Sequence, residues 1–302
     1  MNDTLSPSSS SACASADTRQ QRGIQSLDST GELLSALVEA GRPLTLRDLA
    51  AAAGMPPAKA FAHLVSLLKI GLLSRDAAGR FEAGPLALEL GLIGLQRLSP
   101  TREAEPEIVE LAASTGMSVA MAVLGPLGPT VVRLEESARP LHVSLRVGTV
   151  MSLVNTAIGR VFAAHVADDV RQGLLAQDGL RLAGAQANDI FAPGDTDASS
   201  PASASLPLLP HYAQRLAQIR ADGIDTALNK PIPGISTLAA PVFDHAGSIC
   251  LVLALMGPAG SFDSEFEGGP AQTLLAATQR LSRRFGWMLA AQPARAATTE
   301  SQ

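Results

Sequence analysis

The stretch that most restricts the fold of this chain is TLRDLAAAAGMPPAKAFAHLVSLLKIGLLSRDAAGRF, from Thr45 to Phe81. Thr45 is placed to N-cap a short helix in which Leu46, Leu49, Ala50 and Ala53 recur at helical spacing, and Gly54 can leave that helix in the left-handed region. Met55-Pro56-Pro57 ends the first helix, because proline lacks an amide donor, yet its fixed φ suits the first turn of the next helix. The second helix is predicted from Pro57 to Lys69, with Ala60, Leu64, Leu67 and Leu68 as its buried stripe. Ala58, Lys59, Phe61, Ala62 and Ser66 face elsewhere, and His63 flanks the stripe. Two helices on a Gly-containing turn make a helix-turn-helix, whose second helix offers its first turn to base edges in a DNA major groove. The same spacing also fits a helical hairpin inside an ordinary domain, since Ala/Leu-rich chains produce it by chance.

Past Gly71, Leu72–Arg75 and Arg80–Ala83 read as two strands joined by Asp76-Ala77-Ala78-Gly79. This hairpin is a wing, with Arg75 and Arg80 flanking its tip where cations can meet phosphates. Ser26–Ala40 reads as a buttressing helix with Leu27, Leu33, Leu34, Leu37 and Val38 on one face. After the wing, Leu86, Leu88, Leu90, Leu92, Ile93, Leu95 and Leu98 crowd a helix that is apolar nearly all round. Such a helix needs cover on several sides, which either a dimer contact or an interdomain position supplies.

A length of 302 residues suggests about two domains, and 46% hydrophobic with 3% aromatic residues describes an Ala/Leu/Val core. No apolar run is long enough to cross a membrane, so no membrane partner is expected. Residues 1–22 lack a basic start followed by an apolar segment and read, like 291–302, as a disordered tail, giving a cytoplasmic expectation. Cys13 and Cys250 offer neither a disulfide framework nor metal-ligand spacing. The net charge of −5 is unevenly spread: nine Lys/Arg stand against eight Asp/Glu between Asp17 and Arg97, and fourteen against twenty elsewhere. The sign of that asymmetry suits a DNA-facing N-terminal half. A GxSxG elbow, a GxxxxGK loop, HExxH and paired CxxC are all missing from the sequence, so neither catalysis nor a cofactor is expected.

The rest of the chain reads as an α+β domain over residues 101–290. Helices are predicted over Glu103–Ser114, Thr156–Ala164, Asp168–Ala176, Pro210–Ala221 and Ala271–Met288. Strands are predicted over Met117–Leu124, Thr130–Glu135, His142–Val147, Ser236–Phe243 and Ser248–Met256, the first three forming successive antiparallel neighbours. Ala192–Ser205 is of low complexity and reads as a mobile insertion.

Together these residues resemble an IclR-type transcriptional regulator along nearly the whole chain. The resemblance rests on the helix-turn-helix, Leu86–Gly91 (LALELG), Asn155–Gly159 (NTAIG), Leu238–Phe243 (LAAPVF) and Gly257-Pro258 occurring in order. It implies a winged helix-turn-helix domain over 23–84, a linking and dimerisation helix over 85–100 and a GAF-like antiparallel-sheet effector-binding domain. It further implies a double-stranded DNA operator, a small organic acid effector and a homodimer or homotetramer. Where the family usually carries a Ser or Thr, an aromatic or His, and an Arg, this recognition helix has Ala58, Phe61 and Ala62. Thr45, Arg47, Lys59, His63, Arg75 and Arg80 remain as DNA contacts, while Phe61 fits either a thymine methyl or a partly buried core position. Losing that Arg leaves open an effector-binding or interaction protein of the same fold with weakened DNA reading.

By the same resemblance, the effector carboxylate rests on backbone amides at Thr156, Ala157 and Ile158, where amides and helix dipole attract an anion. An ordinary capped helix start fits those residues too. Gly159 is suited to close helix packing, and Val119, Leu145, Thr237 and Ala254 are expected to line the pocket. Ala227-Leu228-Asn229-Lys230 replaces a commonly acidic segment, and Ala254 and Met256 stand where some members place hydroxyls. The expected pocket is therefore less polar than one suited to small keto acids.

Overall fold

The computed structural model describes residues 24–137, 145–192, 207–260, 262–263 and 265–287. Two compact units divide the chain between Leu92 and Ile93. The expected terminal tails, most of the low-complexity stretch Ala192–Ser205, and His142–Ser144 of the expected strand lie outside the described residues.

In the first unit, α1 (Gln25–Ala40), α2 (Leu46–Ala52) and α3 (Pro57–Lys69) precede β1 (Leu73–Arg75), β2 (Phe81–Ala83) and the start of α4 (Pro85–Arg97). Helix ends follow local chemistry: Thr45 Oγ1 accepts from the Asp48 amide at 3.2 Å to open α2. Gly54, at φ 64°, makes the turn that α3 follows, and Pro57 occupies the first turn of α3. Leu33, Leu49, Ala50, Ala60, Leu64 and Leu67 bury together with Leu73 and Phe81. Arg75 pairs with Phe81 in the antiparallel wing, and Leu44 bridges Phe81 from the other side. The face expected of α1 is rotated. Its buried strip runs through Ser29, Leu33 and Ala36, leaving Leu27 and Val38 exposed, because α2 and α3 cover one narrow stripe of it. No side chain of α4 is buried, and Leu88, Leu90, Leu92 and Ile93 are exposed.

The second unit contains α5 (Pro100–Thr115), β3 (Ser118–Gly125), β4 (Gly128–Glu135), α6 (Ala157–His165), α7 (Asp168–Leu175) and α8 (Pro210–Asp222). It closes with β5 (Asp225–Ala227), β6 (Ile235–Phe243), β7 (Ile249–Pro258) and α9 (Gly269–Arg284). The five strands form one antiparallel sheet in the order β4-β3-β7-β6-β5. Alternation along the strands gives it two buried faces. Val119, Met121, Leu253 and Leu255 pack with α5 and α9 on one side, while Ala120, Ala122, Val252 and Ala254 pack with α6 and α8 on the other.

The strand expected over His142–Val147 is not formed in its described part. The chain turns at Val147-Gly148, with Gly148 at φ 91°, and only Val150 bridges Thr130 of β4. Val131 donates to Thr149 O and Gly148 donates to Val131 O, so among the described residues that edge is met by a turn. Strand β5, three residues long, was not predicted, because so short a segment shows no alternation of its own.

Candidate nucleic-acid interface and effector pocket

In the first unit, α3 presents Ala58, Phe61, Ala62, Val65 and Ser66 to solvent at spacings of three and four. Phe61 is 47% exposed and Val65 45%, so the core role open to Phe61 is excluded; Ala60 and Leu64 already fill the buried stripe. The polar groups around this face are engaged. Lys59 Nζ donates to Ser29 Oγ at 2.9 Å, His63 Nδ1 lies 2.9 Å from Thr30 Oγ1, and Ser66 Oγ donates to Ala62 O at 3.2 Å. Arg47 is exposed on α2 next to Thr45, whose hydroxyl serves as the cap.

At the wing tip, Asp76 Oδ1 accepts from the amides of Ala78 and Arg80, fixing the turn. Its second oxygen holds Arg80 Nε at 2.7 Å. Backbone donation from Arg80 is the main reason the Asp76 pKa lies below its ordinary value. Arg80 is thus partly neutralised, whereas the Arg75 guanidinium sits 4.8 Å over the Phe81 ring with no carboxylate partner among the described residues.

The second unit carries a cavity of about 20 Å³ where α6 begins, beneath the segment joining β5 to β6. Of the expected residues, Leu145, Thr156, Ala157, Ile158 and Thr237 line it. Three do not. Val119 lies on the opposite face of the sheet, Ala254 is sealed in the core under α6, and Gly159 faces the neighbouring backbone. A Cβ on Gly159 would stand 1.9 Å from Ser152 O, so glycine is what lets α6 lie against the segment before it. Met151, Pro231, Ile232 and Ile235 complete an apolar wall, with Lys230 as the one cation in the lining among the described residues. Pro231-Ile232-Pro233 carried no periodic signal, so the sequence reading passed over this part of the wall.

The start of α6 is held by a buried polar network. Thr156 Oγ1 accepts from the Gly159 amide at 2.9 Å and donates to Ser152 O at 2.6 Å. Ser152 Oγ and the Leu153 amide both donate to Asp178, which is fully buried and also receives Arg181 Nη1 at 3.1 Å and the Ala185 amide. Tyr212 Oη donates to Leu153 O, and Arg160 Nη1 to Val154 O. With Gly159 capped, the amides of Thr156, Ala157 and Ile158 have no acceptor among the described residues, although all three residues are buried. Free amides and the helix dipole at such a start are the features that favour a negative charge. No three His, Cys, Asp or Glu side chains are grouped to hold a metal ion among the described residues.

Residues 26–77 match the IclR helix-turn-helix domain. HmgR of Pseudomonas aeruginosa, whose crystal structure is known, is similar to this chain at 30% identity and a TM-score of 0.70, over 87% of this chain and 99% of that one. The chain belongs to the IclR family. It is also similar to BhcR, an HTH-type transcriptional regulator of Paracoccus denitrificans, at 25% identity over 78% of each chain. The glycerol operon regulatory protein of Streptomyces griseus is 27% identical over 85% of this chain and 93% of that one. The winged helix-turn-helix and the antiparallel-sheet unit are accordingly those of an IclR-family transcriptional regulator, and DNA binding is the activity its relatives share. Among the described residues no helix is long and apolar enough to cross a membrane.

Proposed function

We propose that this regulator binds its operator as a homodimer or homotetramer, and that a small organic acid in the second unit controls that binding. The observation that carries the reading is the set of three buried amides at Thr156, Ala157 and Ile158, opening on an aliphatic cavity edged by Lys230. A helix start contributes about 0.3 to 2 kcal/mol to holding a carboxylate, too little alone for useful affinity. The remainder comes from burying an apolar body, at about 25 cal/mol for each Å². A two- or three-carbon keto acid has no such body, and beyond Thr237 and Lys230 the wall, with Ala227 and Met256 in it, is mostly aliphatic. The effector class is therefore an aromatic or branched aliphatic carboxylate. The cavity has room for about one water as it stands, so an acid of this class requires it to widen.

Thermal-shift measurements test this. Benzoate and branched aliphatic acids should raise the melting temperature more than pyruvate or glyoxylate. Ala157→Pro, which deletes one amide at a position where proline is tolerated, should abolish the rise. Larger shifts with the keto acids, or an undiminished shift in the variant, would refute the site. A second reading, an effector-binding protein of the same fold with weak DNA reading, draws on the absence of a cation from the Ala58, Phe61, Ala62 and Val65 face over the first turns of α3. A gel shift on the intergenic region beside its own gene, at low and raised salt, separates the two.

A further inference from the structure

We infer that α3 selects its operator through the C5-methyl groups of pyrimidines in the major groove, and that Phe61 and Val65 are the specificity-determining residues. The inference rests on the DNA-binding reading. The groove-facing side of a recognition helix ordinarily carries Arg, Lys, Asn or Gln, whose paired donors and acceptors match purine edges. Over the first turns of α3, which a recognition helix offers to base edges, that side is Ala58, Phe61, Ala62 and Val65, all exposed, and none can make such a pair; Lys69 continues the side only in the last turn. The flanking polar groups are turned to the protein: Lys59 to Ser29, His63 to Thr30, Ser66 to its own helix.

Exposing Phe61 and Val65 in a unit whose core is already filled by Leu64, Leu67 and Phe81 is unfavourable unless a partner covers them. The only apolar group that a base pair shows in the major groove is the C5-methyl of thymine, which 5-methylcytosine shares. The two small residues, Ala58 and Ala62, leave the helix free to lie close enough for Phe61 and Val65 to reach those methyls. Phosphate contact then falls to residues outside this face, with Arg47 and Arg75 both exposed. Affinity should thus have a salt-dependent part that ignores sequence and a salt-independent part that counts methyls.

The test selects binding sites for the full-length chain from a random duplex library and measures affinity for the enriched site by fluorescence anisotropy. Replacing each thymine in turn with deoxyuridine, which lacks only the methyl, should weaken binding roughly fourfold at two or more positions per half-site, the factor for burying one methyl-sized group. At those positions a C·G pair should be as poor as deoxyuridine, and 5-methylcytosine in place of cytosine should recover most of the loss. Phe61→Ala, on an exposed position that leaves the core intact, should erase the discrimination while leaving the salt slope unchanged. A selected site indifferent to every deoxyuridine substitution, or discrimination that persists in Phe61→Ala, overturns the inference and leaves DNA binding standing. Failure to enrich any sequence overturns the DNA-binding reading and this inference with it.

Discussion

Asp178 joins parts of the second unit that are far apart in sequence. Its carboxylate takes the Ser152 hydroxyl, the Leu153 and Ala185 amides and the Arg181 guanidinium, all out of contact with solvent. Asp178→Ala would strand these donors and leave Arg181 buried without its counter-charge, so stability should fall by roughly 3 kcal/mol or more in urea unfolding. A loss below about 1 kcal/mol, the worth of an exposed pair, would show that the network does not hold the start of α6. His165 gives a pH dependence. Burial, aided by the nearby Arg220 charge, keeps its pKa below the ordinary 6.5 despite the opposing Val161 carbonyl. Below pH 6.5 the unfolded chain takes up a proton that the folded one resists, so folding stability falls with pH across that window. Urea midpoints at pH 7.5 and 5.5 should drop less in His165→Gln than in the parent, and equal drops would contradict this origin. No local pattern in the sequence marks Asp178, because its partners lie up to 26 residues away. The buried members of α3, by contrast, were legible from spacing alone.

The best-read elements are those whose surroundings cover one stripe. Helix α3 has a single wall to pack on, and its predicted Ala60, Leu64 and Leu67 are the residues it buries. Helix α1 also packs on one side, but apolar residues at both edges of its stripe made the pattern ambiguous, and the strip that buries starts from Ser29. Of the strand expected beyond β4, Leu145–Val147 turns away, since alternation in the sequence does not say whether a segment pairs or turns. In α4 the apolar excess was plain, and the structure leaves Leu88 and Leu92, one turn apart, exposed. If a second copy covers them, Leu88→Glu with Leu92→Glu should turn the oligomer into a monomer by analytical ultracentrifugation and weaken operator binding. An unchanged sedimentation coefficient would place the oligomer contact elsewhere.

For the whole molecule, the charge distribution bears on how DNA is held. A first unit with almost no net charge gains little from counterion release, so in the proposed oligomer two copies acting together would supply the phosphate contacts that one lacks. The class of the fold was legible because motif order along the chain is a property of sequence. The pocket was only half legible, because Thr156, Ala157 and Ile158 belong to a helix start visible in sequence, whereas its far wall is built by a loop brought over from β5. On the proposed function, an acid bound at that helix start changes operator affinity. The direct test is an anisotropy titration of the full-length chain on the duplex upstream of its own gene, at fixed salt, with benzoate or with pyruvate and in parent and Ala157→Pro protein. Benzoate should shift the dissociation constant about tenfold or more, pyruvate little, and neither should shift it in the variant, corresponding to a coupling of about 1.4 kcal/mol or more. Affinity that is the same with both acids, or a benzoate response that survives in Ala157→Pro, would contradict it.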